Sequence, residues 1–157
     1  RSRKCVEMAL GDFFSEEFRS EYASRSLEPG SIIRMHFRET NPPKIKLFVV
    51  LGTSKDKVVL GVVLINSQIN PQIFRSATVR AWHIPIMARD YDFLDHDSFV
   101  DCTQIFEKSS VELMKSVSDT PQIVAGKLDF EDFQHIRQAI KNATTIAKVQ
   151  KRNFGLA

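Results

Sequence analysis

The chain has 157 residues, of which 43% are hydrophobic and 26% charged, with a formal net charge of +3 at pH 7. These proportions match an ordinary globular domain and exclude bulk disorder, collagen and coiled-coil rods. No apolar run approaches the roughly 18 residues that a membrane helix requires, and so mild a charge names no partner by itself.

Residues 1–28 carry Val6, Met8, Leu10, Phe13, Phe14, Phe18 and Tyr22 among Glu, Arg and Ser. Phe14, Phe18 and Tyr22 step by four and so share one helical face. The pattern predicts one or two helices, interrupted near Gly11 and ended by Pro29-Gly30. We read residues 1–28 as an N-terminal helical extension and residues 29–157 as the main domain.

Residues 31–106 are strand-like. Ile33, Met35 and Phe37 alternate with Arg34, His36 and Arg38, a period of two. Asn41-Pro42-Pro43 is a loop. The apolar run Lys46-Leu47-Phe48-Val49-Val50-Leu51 is followed by Gly52 and a polar Ser54-Lys55-Asp56-Lys57 turn, then by a second apolar run from Val58 to Ile65, which together predict a hairpin. The segment from Asn66 to Ile73 holds Pro71 and is a loop. Thr78 to Ile86 and Ser98 to Phe106 are further strand candidates. Many short strands at this spacing predict a small barrel or sandwich.

After residue 106 the pattern is mixed. Val111 to Val117 fits a short strand or a helix, and Asp119-Thr120-Pro121 is a turn. A helix follows Asp129, a plausible N-cap, with Glu131 and Asp132 at the positive end of its dipole. Its apolar stripe is Phe130, Phe133, Ile136, Ile140, Ala143 and Ile146 or Ala147. The tail Lys148-Val149-Gln150-Lys151-Arg152 reads as solvated.

Charge is unevenly spread. Residues 29–89 carry Arg34, Arg38, Lys44, Lys46, Lys55, Lys57, Arg75, Arg80 and Arg89 against only Glu39 and Asp56, a local balance of +7. Residues 90–101 then carry five aspartates. A basic sheet surface is a candidate for a nucleic-acid backbone, and a solvated surface is the plainer alternative. The two cysteines, Cys5 and Cys102, form neither a disulfide scaffold nor a C-x-x-C pair. With no apolar leader in the opening residues, they predict reduced thiols in a cytoplasmic protein.

Three motifs invite chemistry. Asp95-His96-Asp97 looks like a metal triplet, but strand neighbours point to opposite faces and no second cluster supports it, so a polar turn is expected. Cys102 with His83 or His96 resembles a thiol and its base, but Cys102 lies in a strand-like stretch and a buried structural role is expected. There is no glycine-rich phosphate loop and no zinc-ligand spacing, so neither a cofactor nor a metal is expected. Lys46 opens one apolar run and Ser67 follows the other, so a pairing of those strands brings both toward one surface groove.

The order of these segments resembles that of MazF/PemK-type toxins of toxin–antitoxin systems. Pro29-Gly30-Ser31-Ile32-Ile33-Arg34-Met35-His36-Phe37 is similar to the strand that opens that family's fold. Lys46-Leu47-Phe48-Val49-Val50-Leu51 is similar to its apolar strand ending in Val-Val-Leu, and Val63-Leu64-Ile65-Asn66-Ser67-Gln68 to its strand ending in a Thr-containing loop. Ser98-Phe99-Val100-Asp101-Cys102-Thr103-Gln104-Ile105 and Gly126-Lys127-Leu128, with the helix after them, complete a resemblance spanning about residues 29–147.

The resemblance implies a β-rich α+β fold: a small SH3-like β-barrel with a C-terminal helix, to which residues 1–28 add a helical extension. It implies a homodimeric, metal-independent endoribonuclease that cuts single-stranded RNA and is inhibited by a cognate antitoxin protein. The family's catalytic Arg and Thr fall on Lys46 and Ser67. The first departure keeps the charge and loses the planar fork, and the second keeps the hydroxyl. On this reading Arg34, Arg38, Lys44, Gln68 and Arg75 contact the RNA. The rival expectations are a catalytically silent barrel that binds nucleic acid or a protein, as the fold is shared with gyrase-inhibiting CcdB-type toxins, and an interaction protein dominated by its N-terminal helices.

Overall fold

The apolar runs at 47–51 and 58–65 have no polar residue to spare for a solvent face, so a strand built from them must be covered on both sides. That requirement organises the molecule. In the computed structural model, which describes residues 16–157, the runs become β2 (Lys44–Thr53) and β3 (Val59–Asn66), with β1 (Ser31–Phe37) before them, in an antiparallel meander. Phe48 pairs with Leu64 and with Ile33, and Val49 with Val63 and Ile32. The chain continues through a helical turn α2 (Ala77–Arg80), β4 (His83–Ile86), β5 (Ser98–Asp101) and β6 (Phe106–Ser109). It ends in α3 (Ser110–Asp119), β7 (Val124–Lys127), α4 (Phe130–Asn142) and α5 (Lys148–Asn153), while α1 (Glu16–Ser26) precedes the sheet. The strand order is β4-β5-β3-β2-β1-β7, and β6 takes the first half of the β3 edge that β5 takes at its end. The result is an α+β fold whose curled antiparallel sheet makes a half-barrel.

Alternation along the strands divides the core in two. Ile32, Val49, Leu51, Val63 and Ile65 face Phe133, Ile136 and Ile140 of α4, together with Phe154 and Leu156. Ile33, Phe48, Val50, Val62 and Leu64 face Ala23 and Leu27 of the α1 segment and Leu113 and Val117 of α3. Burying each such side chain is worth about 1.5–3 kcal/mol relative to exposure, so both helical layers are needed to hold the sheet. The β2–β3 turn is tied by its own polar side chains. The Ser54 hydroxyl donates to Asp56 Oδ1 at 2.6 Å, the Val58 amide donates to the same oxygen at 3.1 Å, and Lys57 takes a φ of 63°. The register shifts between Val50 and Gly52, where Gly52 supplies a φ of 148° that a side chain would strain.

Several sequence expectations need correction. Thr78 to Ile86 is not one strand: Ser76 caps a helical turn by accepting the amides of Thr78 and Val79, and the strand begins only at His83. Ser98 to Phe106 divides into β5 and β6 because the Asp101 carboxylate accepts both the Thr103 amide and its hydroxyl, closing a turn. Val111 to Val117, which fits either a strand or a helix by sequence, is a helix. Ser109 caps α3 by accepting the Glu112 amide, and Leu113 and Val117 step by four into the core. In α1 Ala23 is buried, as is Leu27 just past its end, whereas Phe18 is 42% exposed; Phe14 and the expected break at Gly11 lie outside the described residues.

Asp129 does cap α4, accepting the Asp132 amide at 2.8 Å, but Phe130 is 79% exposed and leaves the apolar stripe at Phe133. The tail is exposed at Lys148, Val149 and Arg152, as expected, but not at Lys151. Lys151 is buried, and its ammonium donates to the carbonyls of Lys141 and Ala143, satisfying the C-terminal end of α4. Thr145 and Gln150 donate to the carbonyls of Thr103 and Ile105, binding the same tail to the β5–β6 turn.

Candidate functional site

The polar ends of β2 and β3 meet at one side of the half-barrel. Extending the Phe48–Leu64 pair by two residues sets Lys46 opposite Asn66, and the Lys46 ammonium donates to Asn66 Oδ1 at 2.5 Å. A groove of about 260 Å³ opens beside this pair. Leu47, Ile65, Phe93 and Leu94 make its apolar floor, and Arg34, Lys46, Asn66, Ser67, Asp95 and His96 are among the polar residues around it. Ile45, 65% exposed, also lines it. Cations on the rim over an apolar floor can hold a phosphate and a base at once, since a phosphate needs charge and a base needs a flat apolar contact.

Lys46 is an unusual lysine. Its partial burial, and then the neighbouring Lys44 charge, lower its pKa from the ordinary value, and Asp101 opposes them only in part. An ammonium held this way releases its proton more readily than a solvated one. Ser67 is exposed just past the end of β3, free to approach a ligand. The Lys46 ammonium bonds to Asn66 and not to Ser67.

The far wall of the groove is a loop, residues 91–97, that is fastened at several points. Tyr91 hydroxyl donates to Asp132 Oδ2 and accepts the Asp129 amide, bonding the loop to the first turn of α4. Burial and the Asp132 carboxylate push the phenol pKa up, so the hydroxyl stays a donor. Asp97 Oδ1 accepts the Ala88 amide at 2.8 Å, and the Ser98 hydroxyl donates to the His96 carbonyl at 2.9 Å. Arg34 Nη2 donates to the Phe93 carbonyl at 3.4 Å, joining β1 to the loop across the groove. The Phe93 ring sits against Gly126, where an added Cβ would fall 2.9 Å from a ring carbon.

The seven polar candidates are therefore not gathered equally. Arg34, Lys46 and Ser67 line the groove. Lys44 lies one turn of the pleat away on the same strand, exposed, and acts on the site through its charge. Gln68 is exposed in the following loop. Arg38 lines a separate groove, beside Lys108 and Glu112 of the α3 side, and Arg75 donates within its own loop to the Gln72 carbonyl. The sequence reading passed over Asn66 and Phe93. Their only signals were Asn66's place beside Ser67 and Phe93's place in the acidic loop.

The other motifs resolve as polar turn and core. Asp97 is spent on the Ala88 amide, and among the described residues no group of His, Cys, Asp and Glu is placed to hold a metal ion. Cys102 is fully buried, and burial, then the Asp101 charge, hold its thiol protonated. His83 lies 3.6 Å from Asp101, with Nδ1 toward the Val79 and Arg80 carbonyls. Among the described residues no helix is long and apolar enough to cross a membrane. No family model matches the chain, and no curated protein matches it.

Proposed function

We propose that the protein is a MazF/PemK-like endoribonuclease that cleaves single-stranded RNA without a metal, using Lys46 and Ser67. One observation carries this reading: two residues chosen from separate sequence motifs, with Arg34 from a third, line a single groove. RNA brings its own nucleophile, the 2′-hydroxyl. The protein must orient that hydroxyl in line with the phosphorus, offset charge on the phosphorane and protonate the departing 5′-oxygen. Lys46, with its lowered pKa, donates the proton to the 5′-oxygen. Ser67 hydrogen-bonds a non-bridging oxygen, and Arg34 neutralises the phosphate. Ile45 and Phe93 contact the flanking bases. The half-barrel is read as SH3-like, the protein as a cytoplasmic homodimer, and the partner as a cognate antitoxin.

The rival is a catalytically silent barrel that binds nucleic acid or a protein. It is favoured by the Lys46–Asn66 bond, which occupies the ammonium in the free protein. The test is incubation of the purified chain with a long single-stranded RNA in EDTA, beside Lys46→Ala and Ser67→Ala. Cleavage by wild type that falls at least 100-fold in both variants supports the enzyme. Equal background in all three, with a gel shift on intact RNA, supports the silent barrel.

A further inference from the structure

The site as described lacks one component. Transesterification by the 2′-hydroxyl needs a group to take its proton as the oxygen attacks. Lys46 serves as the acid, a guanidinium has donors and no acceptor, and a serine hydroxyl is no base near neutral pH. The groove holds two groups that can accept a proton, Asp95 and His96, and both belong to the Asp95-His96-Asp97 turn.

Building on the endoribonuclease reading, we propose that His96 is the general base of this groove. The turn is constructed to present it. Leu94 is buried before it and Ser98 is buried after it, so the chain is anchored on both sides. The Leu94 amide donates to the Tyr91 carbonyl at 3.2 Å, Asp97 is held by the Ala88 amide, and the Ser98 hydroxyl fixes the His96 carbonyl. The backbone is thus bonded on each side of a side chain that remains exposed on the groove wall. His96 lines the same groove as Lys46 and Ser67 but comes from a different element, and an in-line displacement needs base and acid on opposite sides of the phosphorus. Between the two candidates, an imidazole is the better-matched acceptor at neutral pH and a carboxylate the weaker one. His36, the exposed imidazole on β1, lines the groove on the α3 side and is excluded by position.

The step balances without a co-reactant. The imidazole takes the 2′-hydroxyl proton while the 2′-oxygen bonds to phosphorus. The bond from phosphorus to the 5′-oxygen breaks, and Lys46 gives that oxygen its proton. The products are a 2′,3′-cyclic phosphate and a 5′-hydroxyl. A proton returning from imidazolium to the Lys46 amine through water restores the enzyme.

The experiment separates base from acid. The bond cut by wild type in a long RNA in EDTA is mapped, then placed in a short oligonucleotide made with either the normal 5′-oxygen or a bridging 5′-sulfur, a leaving group that needs no proton. His96→Ala and His96→Gln are expected to cut 10²- to 10⁴-fold more slowly with RNA affinity within about threefold of wild type. Both stay slow on the 5′-sulfur substrate, while Lys46→Ala recovers on it. Free imidazole restores part of the His96→Ala rate.

Wild-type-like cleavage by His96→Ala overturns the assignment and leaves the endoribonuclease reading standing, and so does a loss in Asp95→Asn alone. Recovery of His96→Ala on the 5′-sulfur substrate makes His96 an acid and also overturns it. A slow His96→Ala that imidazole does not help points to a structural role and overturns it too. If wild type cuts no RNA, the reading and the inference fail together.

Discussion

The two halves of β2 show how one strand serves two purposes. Its second half, Phe48 to Leu51, is fully buried, with Phe48 and Val50 under α1 and α3, and Val49 and Leu51 under α4. Its first half, Lys44 to Leu47, is exposed or half-buried, and of it Leu47 packs against the core. The backbone pairing is continuous through both halves, from Phe37–Lys44 to Ile32–Val49. What changes is the burial: before Phe48 the same ladder presents its side chains to solvent. A rigid strand therefore aims Lys46, and the groove inherits the precision of the core without being part of it.

Breaking the buried half gives the largest effect. Phe48→Ala removes a ring that packs 6.0 Å from Phe37 and fills the layer between the sheet and α3. The expected cost is about 3–5 kcal/mol, read as a lower urea midpoint with an unchanged m-value. A cost under about 1 kcal/mol would mean that α1 and α3 do not hold this face.

Breaking the open half moves activity instead. Lys46→Ala is expected to cut RNA at least 100-fold more slowly, or about 2.7 kcal/mol in the barrier, while the urea midpoint hardly moves. If the unfolding curve shifts as far as that of Phe48→Ala, the division between the halves is wrong.

How much of this was legible in the sequence depends on the kind of signal. The hairpin of β2 and β3 was plain because unbroken apolar runs either side of a polar turn have few other uses. The cap at Asp129 was equally plain. The helix α3 was ambiguous because Val111 and Val117 favour strands on their own, and the deciding cap, Ser109 to Glu112, is a three-residue spacing easily lost among serines. The turn dividing β5 from β6 was hidden because Asp101 and Thr103 alternate like strand residues, and only their mutual hydrogen bonds bend the chain. The tail misled only at Lys151, because a lysine in a basic run reads as solvent-facing. Lys151 is buried to cap a helix that lies ten residues earlier. Lys46, Ser67 and Arg34 were each visible, but the loop that completes the groove was not. Its placement rests on Tyr91 reaching Asp132 across 41 positions, a contact with no local signature.

Tyr91→Phe tests that contact at intermediate size. It deletes the hydroxyl that bonds both Asp132 and the Asp129 amide, for an expected loss of about 1–2 kcal/mol. RNA cleavage should fall further than that loss of stability explains, because the wall bearing His96 loosens. Cleavage unchanged at full occupancy of the fold would show that the wall needs no such fastening. Ile45→Ala is smaller still. The residue is largely exposed, so stability should stay within about 0.5 kcal/mol, and only the affinity for single-stranded RNA should weaken.

The smallest expected effect concerns the price of placing a lysine where full burial ends. The Lys46 pKa is lowered on folding, chiefly by burial, so the folded state holds that proton less tightly than the unfolded chain does. Below the folded-state pKa both states carry the charge, and its desolvation is a constant penalty. Between that pKa and the unfolded value of about 10.4, the unfolded chain binds more protons, so stability rises with pH. Above both values the amine is neutral in each state and the penalty is gone. Lys46→Met removes the charge at every pH. At neutral pH the Met variant should therefore be slightly more stable than wild type, and the gap should narrow as pH climbs toward the lysine range. Subtracting the two unfolding curves cancels every other titrating group. A gap that widens with pH would mean that Lys46 is stabilised as a cation in the fold, by Asp101 or Asn66, and that its proton is held too firmly for an acid.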